Sequence, residues 1–299
     1  MLIKVLGSAA GGGFPQWNCR CPVCQLAWNR DARVKWRTQS SLAISANGDN
    51  WLLLNASPDL RQQILDNTCL HPRLGSRHSP INTIIVTNGD IDHIAGLLSL
   101  REQQAFDIWA TTETLGQIGA NSVFGVLSPS CVHKHPMSLE KPLDFAGGLQ
   151  IVPFAVPGKA PLYAEGGKVE IGAETGTTIG LEITHDKARI YYIPGCASAT
   201  DKLKHRVKGA DVLFFDGTTY TDDEMVRLGL SQKTAWRMGH VPMSGEAGSL
   251  AAFANVDLKR KIYLHINNTN PVLVEDSAER RTVEKAGWEV AHDGMEIAP

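Results

Sequence analysis

No apolar run in this 299-residue chain is long enough to span a bilayer, and the opening Met-Leu-Ile-Lys-Val-Leu-Gly is too short for a signal-peptide core. A soluble, cytoplasmic protein without membrane insertion is therefore expected. An excess of charge is also missing: 29 basic and 31 acidic residues leave a net charge of −2. No strong field would steer the protein towards nucleic acid or an acidic membrane. Linkers, low-complexity segments and internal repeats are absent too, so one domain is the simpler reading. With 43% of residues hydrophobic, the chain can bury a substantial core. The cysteines number only six, and a disulfide framework is not expected in a reducing compartment.

Short apolar runs rich in β-branched and aromatic residues predict strands at Leu2–Leu6, Ser41–Ala46, Trp51–Leu54, Thr83–Val86, Gly180–Thr184, Arg189–Ile193, Val212–Phe215 and Ile262–His265. Helical spacing predicts helices at Pro58–Asp66, capped by Ser57, and at Ile94–Gln104, Thr112–Gly119, Asp222–Leu228, Gly245–Phe253 and Glu275–Ala286. Asn47-Gly48-Asp49 joins two of the strands as a hairpin. Val156 to Gly176 reads as a long surface loop. Hairpins mixed with helices favour a layered α/β sandwich over a doubly wound parallel sheet.

Three cysteines fall within six positions: Cys19, Cys21 and Cys24. Their spacing suits three thiolates on one structural zinc, and Trp17, Trp28 and Trp36 could pack round it. A redox dithiol of Cys21 and Cys24 is the alternative. The predicted strand Thr83–Val86 runs directly into Thr87-Asn88-Gly89-Asp90-Ile91-Asp92-His93. Ligands at the carboxyl end of a strand can converge on one point, and Asp with His suits a borderline divalent metal. The bland alternative is that Asp90 or Asp92 caps a helix. Asp216 ends an apolar strand, where a carboxylate is costly unless paired. It is expected beside the site, or as a ligand. Gly11-Gly12-Gly13 lacks the pattern of a nucleotide-binding loop and reads as an active-site loop. His71, His78, His133, His135, His185, His205 and His292 show no ligand spacing, and a structural or exposed role is expected for them.

The Thr87–His93 segment resembles the metallo-β-lactamase motif Thr-His-x-His-x-Asp-His-x-x-Gly, with Gly96 matching its glycine. Asn88 and Asp90 stand where the first two histidines would be, while Asp92 and His93 match. The Val156-Pro157-Gly158-Lys159 region supplies no third histidine, and Tyr191–Cys196 supplies no bridging carboxylate. The resemblance implies a four-layer αββα sandwich in which one metal position has lost nearly all its ligands. The other keeps Asp92, His93 and a late histidine, His265. Two-metal hydrolysis needs ions about 4 Å apart. One carboxylate and two histidines instead form the ligand set of non-haem iron(II) oxygenases, although zinc could use the same residues. His240, in a segment similar to that of the tRNase Z-like branch, could be a ligand, a proton donor or a substrate contact, with a capped, hydrogen-bonded structural histidine as the alternative. Relatives complete the cysteine site with a histidine where this chain has Asn268, so an oxygen ligand or His265 itself remains open.

Together, Gly7–Cys19, the altered Asn88/Asp90 motif and His265-Ile266-Asn267-Asn268-Thr269-Asn270-Pro271 resemble the pyrroloquinoline quinone (PQQ) biosynthesis protein B family. That resemblance implies a step in making PQQ from a crosslinked Glu–Tyr precursor. Its form would be iron-dependent hydroxylation of the tyrosine ring, or else carriage of PQQ or its precursor, with a relic hydrolase third. The expected site comprises His240, Asp90 and Asp216 as catalytic groups and Asp92, His93 and His265 on iron(II) or zinc. The implied partners are the precursor or PQQ, other pathway proteins and, in a homo-oligomer, further copies of the chain.

Overall fold

In the computed structural model, which describes residues 1–165 and 170–299, the chain builds two seven-stranded sheets. The first contains β1 (Leu2–Gly7), β2 (Ser41–Ser45), β3 (Trp51–Leu54), β4 (Ile81–Ile85), β5 (Phe106–Thr111) and β6 (Val132–Met137). The second contains β7 (Leu143–Phe145), β8 (Leu149–Gly158), β9 (Ala173–His185), β10 (Ala188–Ile193), β11 (Ala210–Asp216), β12 (Leu258–Leu264) and β13 (Trp288–Val290). The last strand, β14 (Glu296–Ile297), returns to pair with β1, so both chain ends belong to the first sheet. Antiparallel pairing holds through β1–β2–β3, and the expected hairpin is present. From β3 to β6 and from β10 to β13 the pairing is parallel.

Strand alternation divides the apolar residues among three layers. Ile190, Tyr192, Val212, Phe214, Ile262 and Leu264 face Leu42, Leu54 and Ile85 in the core between the sheets. Their neighbours Tyr191, Ile193, Leu213, Phe215 and Tyr263 face outward onto Leu203, Phe253, Val283 and Trp288. On the far side, Leu53, Ile84 and Ile108 pack under Leu60, Leu97 and Ile118. The arrangement is the expected αββα sandwich. Because both faces of each sheet are covered, the strands read as continuous apolar runs, and period-two alternation is invisible in the sequence.

Several boundaries differ from the sequence reading. The helix expected from Pro58 starts at Leu60, and Ser57 binds Gln63 through its hydroxyl (3.1 Å). The helix expected at Ile94–Gln104 is instead a short α-turn, Ile91–Ile94, followed by a 3-10 segment, Ala95–Leu100. Ser244 donates to the Tyr220 carbonyl (2.7 Å), and the helix behind it forms only at Ser249–Ala252. The expected loop at 156–176 is shorter, since β8 runs to Gly158 and β9 begins at Ala173; residues 166–169 of it lie outside the described residues. β5 to β8 were missed because polar residues and prolines such as Asp107, His133, Pro136 and Pro153 interrupt their apolar pattern.

Candidate metal centre

The carboxyl ends of β4, β11 and β12 meet at one rim of the sandwich, where ligand sites collect in sheets with parallel strands. After β4 the chain turns through Thr87–Asp90 into the Ile91–Ile94 helix. Gly96 follows, and a Cβ there would lie 2.1 Å from the Ser57 carbonyl oxygen. Only glycine lets this turn close against the β3 loop. Asp90 holds the position before the helix, but its side chain makes no capping bond. The Asn55 side chain pins the turn from below, accepting from the Thr87 N–H (2.9 Å).

β12 ends at Leu264, one residue earlier than expected, and His265 is left-handed with φ +56°. That conformation is uncommon for a residue with a Cβ. It brings Nε2 of His265 to 3.0 Å from Oδ2 of Asp92. His93 Nε2 lies 4.0 Å from the same carboxylate oxygen. One ligand atom from each of Asp92, His93 and His265 thus falls within 4.8 Å of the others. Gly11 borders them, as a Cβ there would lie 3.5 Å from the Asp92 carboxylate. Of the glycine run, Gly11 is the member that lies against Asp92.

The hydrogen bonds fix which atoms face the centre. His93 Nδ1 lies 2.7 Å from Oδ1 of Asn88, which also accepts from the Asp90 N–H (3.0 Å). Nδ1 of His93 therefore carries the proton, leaving a lone pair on Nε2. That atom is fully buried and has no hydrogen-bond partner among the described residues. Burial, with the positive neighbours His265 and His240, pushes the His93 pKa down to about 4, so the ring is neutral at pH 7. An unpaired, neutral imidazole nitrogen beside a carboxylate and a second imidazole fits a divalent metal well.

A second group stands behind His265. Asp216, fully buried at the end of β11, lies 2.7 Å from Nδ1 of His240 and accepts from the Cys196 N–H (2.8 Å). Burial works against its ionisation, but His240, His265 and Thr218 outweigh that and keep the carboxyl below its usual range. The Thr218 hydroxyl donates to Oδ1 of Asp216 (2.7 Å) and accepts from Nδ1 of His265 (2.9 Å). His240 and His265 stack with ring centres 5.2 Å apart. Thr218 carried no sequence signal beyond its place in Asp216-Gly217-Thr218, and sequence reasoning missed it. Asp90 lies close by, and burial together with the Asp92 charge raises its pKa.

At the third cluster Cys19, Cys21 and Cys24 are buried, with their sulfurs within 4.8 Å of one another. Cys21 caps the Pro22–Trp28 helix and accepts from the Cys24 N–H (3.4 Å). Its contact with Cys24, and then burial, pushes the Cys21 thiol far up, while the same contact draws Cys24 down. Asn268 covers the sulfurs from 244 residues away, its side-chain nitrogen 3.3 Å from Cys24 Sγ. His265 groups with Asp92 and Asp216 rather than with the cysteines. Trp28 donates to the Cys19 carbonyl (2.9 Å), and Trp36 packs edge-on against Trp28. Trp17, expected to pack round the cluster, is 82% exposed. Of the seven other histidines, His133 and His135 lie on β6, and His135 stacks on Trp109.

Residues 50–266 match the β-lactamase superfamily domain. The chain is 57% identical to coenzyme PQQ synthesis protein B of Methylobacterium sp. (strain 4-46), over 98% of each protein. It is 52% identical to the protein of that name from Xanthomonas campestris pv. campestris, over the full length of both. The crystal structure of zinc-bound PqqB from Methylobacterium extorquens superposes with a TM-score of 0.98 at 54% identity, again over all of both chains. A diphosphatase of the PhnP family, 20% identical with a TM-score of 0.70 over 99% of this chain and 96% of its own, shares the fold. The fold, the superfamily match over residues 50–266 and this identity along the whole chain agree: the protein belongs to the coenzyme PQQ synthesis protein B family of the β-lactamase superfamily.

Proposed function

We propose that this protein acts in the cytoplasm, as one domain, to hydroxylate the tyrosine ring of a Glu–Tyr-derived precursor of PQQ, using iron(II) held by Asp92, His93 and His265. The observation that carries this reading is Nε2 of His93, without a hydrogen-bond partner among the described residues, beside one carboxylate and one further imidazole. Bound there, the ion would supply open coordination positions for dioxygen, the feature of a two-histidine, one-carboxylate site. Asn88 and Asp90, in place of histidines, argue against a second ion and so against two-metal hydrolysis.

The surrounding side chains have definable roles. Asn88 fixes the His93 tautomer, and Thr218 fixes that of His265. Asp216 accepts from Nδ1–H of His240, which leaves Nε2 of His240 to hold or pass a proton at the substrate. Asp90, raised towards its neutral form, is a second proton-holding group on the same rim. The three cysteines hold a structural zinc, with Asn268 closing the cluster.

Anaerobic loading with iron(II), followed by exposure to oxygen with the precursor, should add a hydroxyl to the ring. Asp92→Ala and His93→Ala should abolish the reaction without removing the cysteine-bound zinc. Absence of precursor-dependent oxygen uptake by iron-loaded protein would overturn the assignment. Tight binding of PQQ without turnover would favour a carrier instead.

A further inference from the structure

Beside the metal centre sits a charged group that the chemistry above does not use. Lys159 follows β8, and its Nζ lies 3.0 Å from Oε1 of Glu165. Arg237, on the Ala235–Met238 helix, reaches the other oxygen, Oε2, at 3.2 Å. The Lys159 and Glu165 side chains are only 13% and 10% exposed, and Arg237 is 33% exposed. The Arg237 hydrogen bond, and after it that of Lys159, hold the Glu165 carboxyl down to about 2.

The group is built into the rim of the site. The Lys159 carbonyl accepts from Thr178 (3.2 Å), and Thr178 pairs with Asn88, the residue that orients His93. On the other side Gly239, left-handed at φ +90°, precedes His240, and a Cβ there would lie 3.0 Å from Lys159 Cγ. Tyr163 donates to the Gly89 carbonyl (2.7 Å), tying the same segment to the metal-binding turn. Two cations therefore share one carboxylate between the Asn88 turn and His240, and Arg237 keeps a third of its surface open.

We propose that Lys159 and Arg237 form a carboxylate-binding site at the mouth of the metal centre, with Glu165 as an internal stand-in that a ligand carboxylate displaces. The exchange replaces one charge-assisted pairing with another, so neither cation is left unpaired and desolvation costs little. A guanidinium with an ammonium suits a planar carboxylate. The choice of ligand rests on the proposed function, since a Glu–Tyr-derived molecule and PQQ both carry several carboxylates.

The test is calorimetric titration of the metal-loaded, full-length protein with PQQ and with its uncharged trimethyl ester. Arg237→Gln and Lys159→Met should each weaken PQQ binding about tenfold, equivalent to about 1.4 kcal/mol, and leave ester binding unchanged. Glu165→Gln should tighten PQQ binding severalfold, because the competing carboxylate is gone. A purely structural ion cluster predicts instead that PQQ affinity is unaltered in all three variants, whatever happens to their melting temperatures. Should a variant fail to fold, wild-type protein still decides. Raising the ionic strength from about 0.05 to about 0.5 M must weaken PQQ binding more than ester binding. Equal affinity of wild-type protein for PQQ and ester, or no binding of PQQ at all, overturns the proposal. A failed hydroxylation assay with the tenfold losses intact would refute the oxygenase reading and leave the carboxylate site standing.

Discussion

Thr218→Val removes one oxygen atom at almost constant volume and tests how the metal centre is held together. The hydroxyl is buried, donates to Oδ1 of Asp216 at 2.7 Å and accepts from Nδ1 of His265 at 2.9 Å. Valine leaves the His265 N–H without an acceptor and removes one of the two donors on Oδ1, the other being the Thr218 backbone N–H at 3.0 Å. Stranding a buried polar group costs about 1–3 kcal/mol, so the two effects together should lower stability by about 2–4 kcal/mol. Loss of the bond that orients a ligand imidazole should weaken metal binding about 10–100-fold. Urea denaturation of metal-free protein gives the first quantity. Competition titration with cobalt(II), whose spectrum separates thiolate from imidazole ligation, gives the second. Thr218→Ser keeps the hydroxyl and should restore most of the metal affinity. If Thr218→Val binds metal at the imidazole site as tightly as wild type, Thr218 does not orient His265, and that part of the reasoning is wrong.

At Gly96, alanine would place its Cβ 2.1 Å from a backbone oxygen that cannot swing away. Gly96→Ala should cost about 1–3 kcal/mol or more in urea denaturation and loosen metal binding at Asp92 and His93 with it. Cys24→Ser should lower the zinc content measured by elemental analysis by one ion per chain, leaving the iron capacity intact; Asp92→Ala should do the converse. Glu165 gives a pH signature: its folded pKa of about 2 lies below the ordinary 4.5, so its stabilising contribution is complete above about pH 4.5 and lost as pH falls towards 2. The melting temperature of Glu165→Gln should accordingly fall less steeply than that of wild type across that window.

Local chemistry made part of the site legible. Asp92 and His93 are adjacent, sit directly after an apolar strand and carry Gly96 behind them, so their shared turn is written in a dozen consecutive residues. The cysteine knuckle is equally local, because Cys21 and Cys24 are joined by one turn of helix. The strands of the second sheet that end at Asp216 and just before His265 are recognisable as unbroken apolar runs. Half-buried Asp107 on β5 and exposed His133 and Lys134 on β6 hide those strands, since they interrupt the apolar pattern.

Residue types alone marked the candidate ligands: one carboxylate, Asp92, and the imidazoles of His93 and His265. Only the tertiary structure decided their partners. Asn88 reads in the sequence as a lost ligand, yet in the fold it is the acceptor that sets the His93 tautomer. His265 could have served either metal cluster, until its left-handed backbone put Nε2 against Asp92 and left Asn268 over the cysteines. Thr218 had no signal beyond following Asp216, because its role exists only where the ends of β11 and β12 lie side by side. Residue identity fixes which atoms can bind a metal or hold a proton. Which of those atoms come within 3 Å of each other depends on how the two sheets pack, as for Asp92 and His265, 173 positions apart and each following a strand of a different sheet, and no local pattern encodes that.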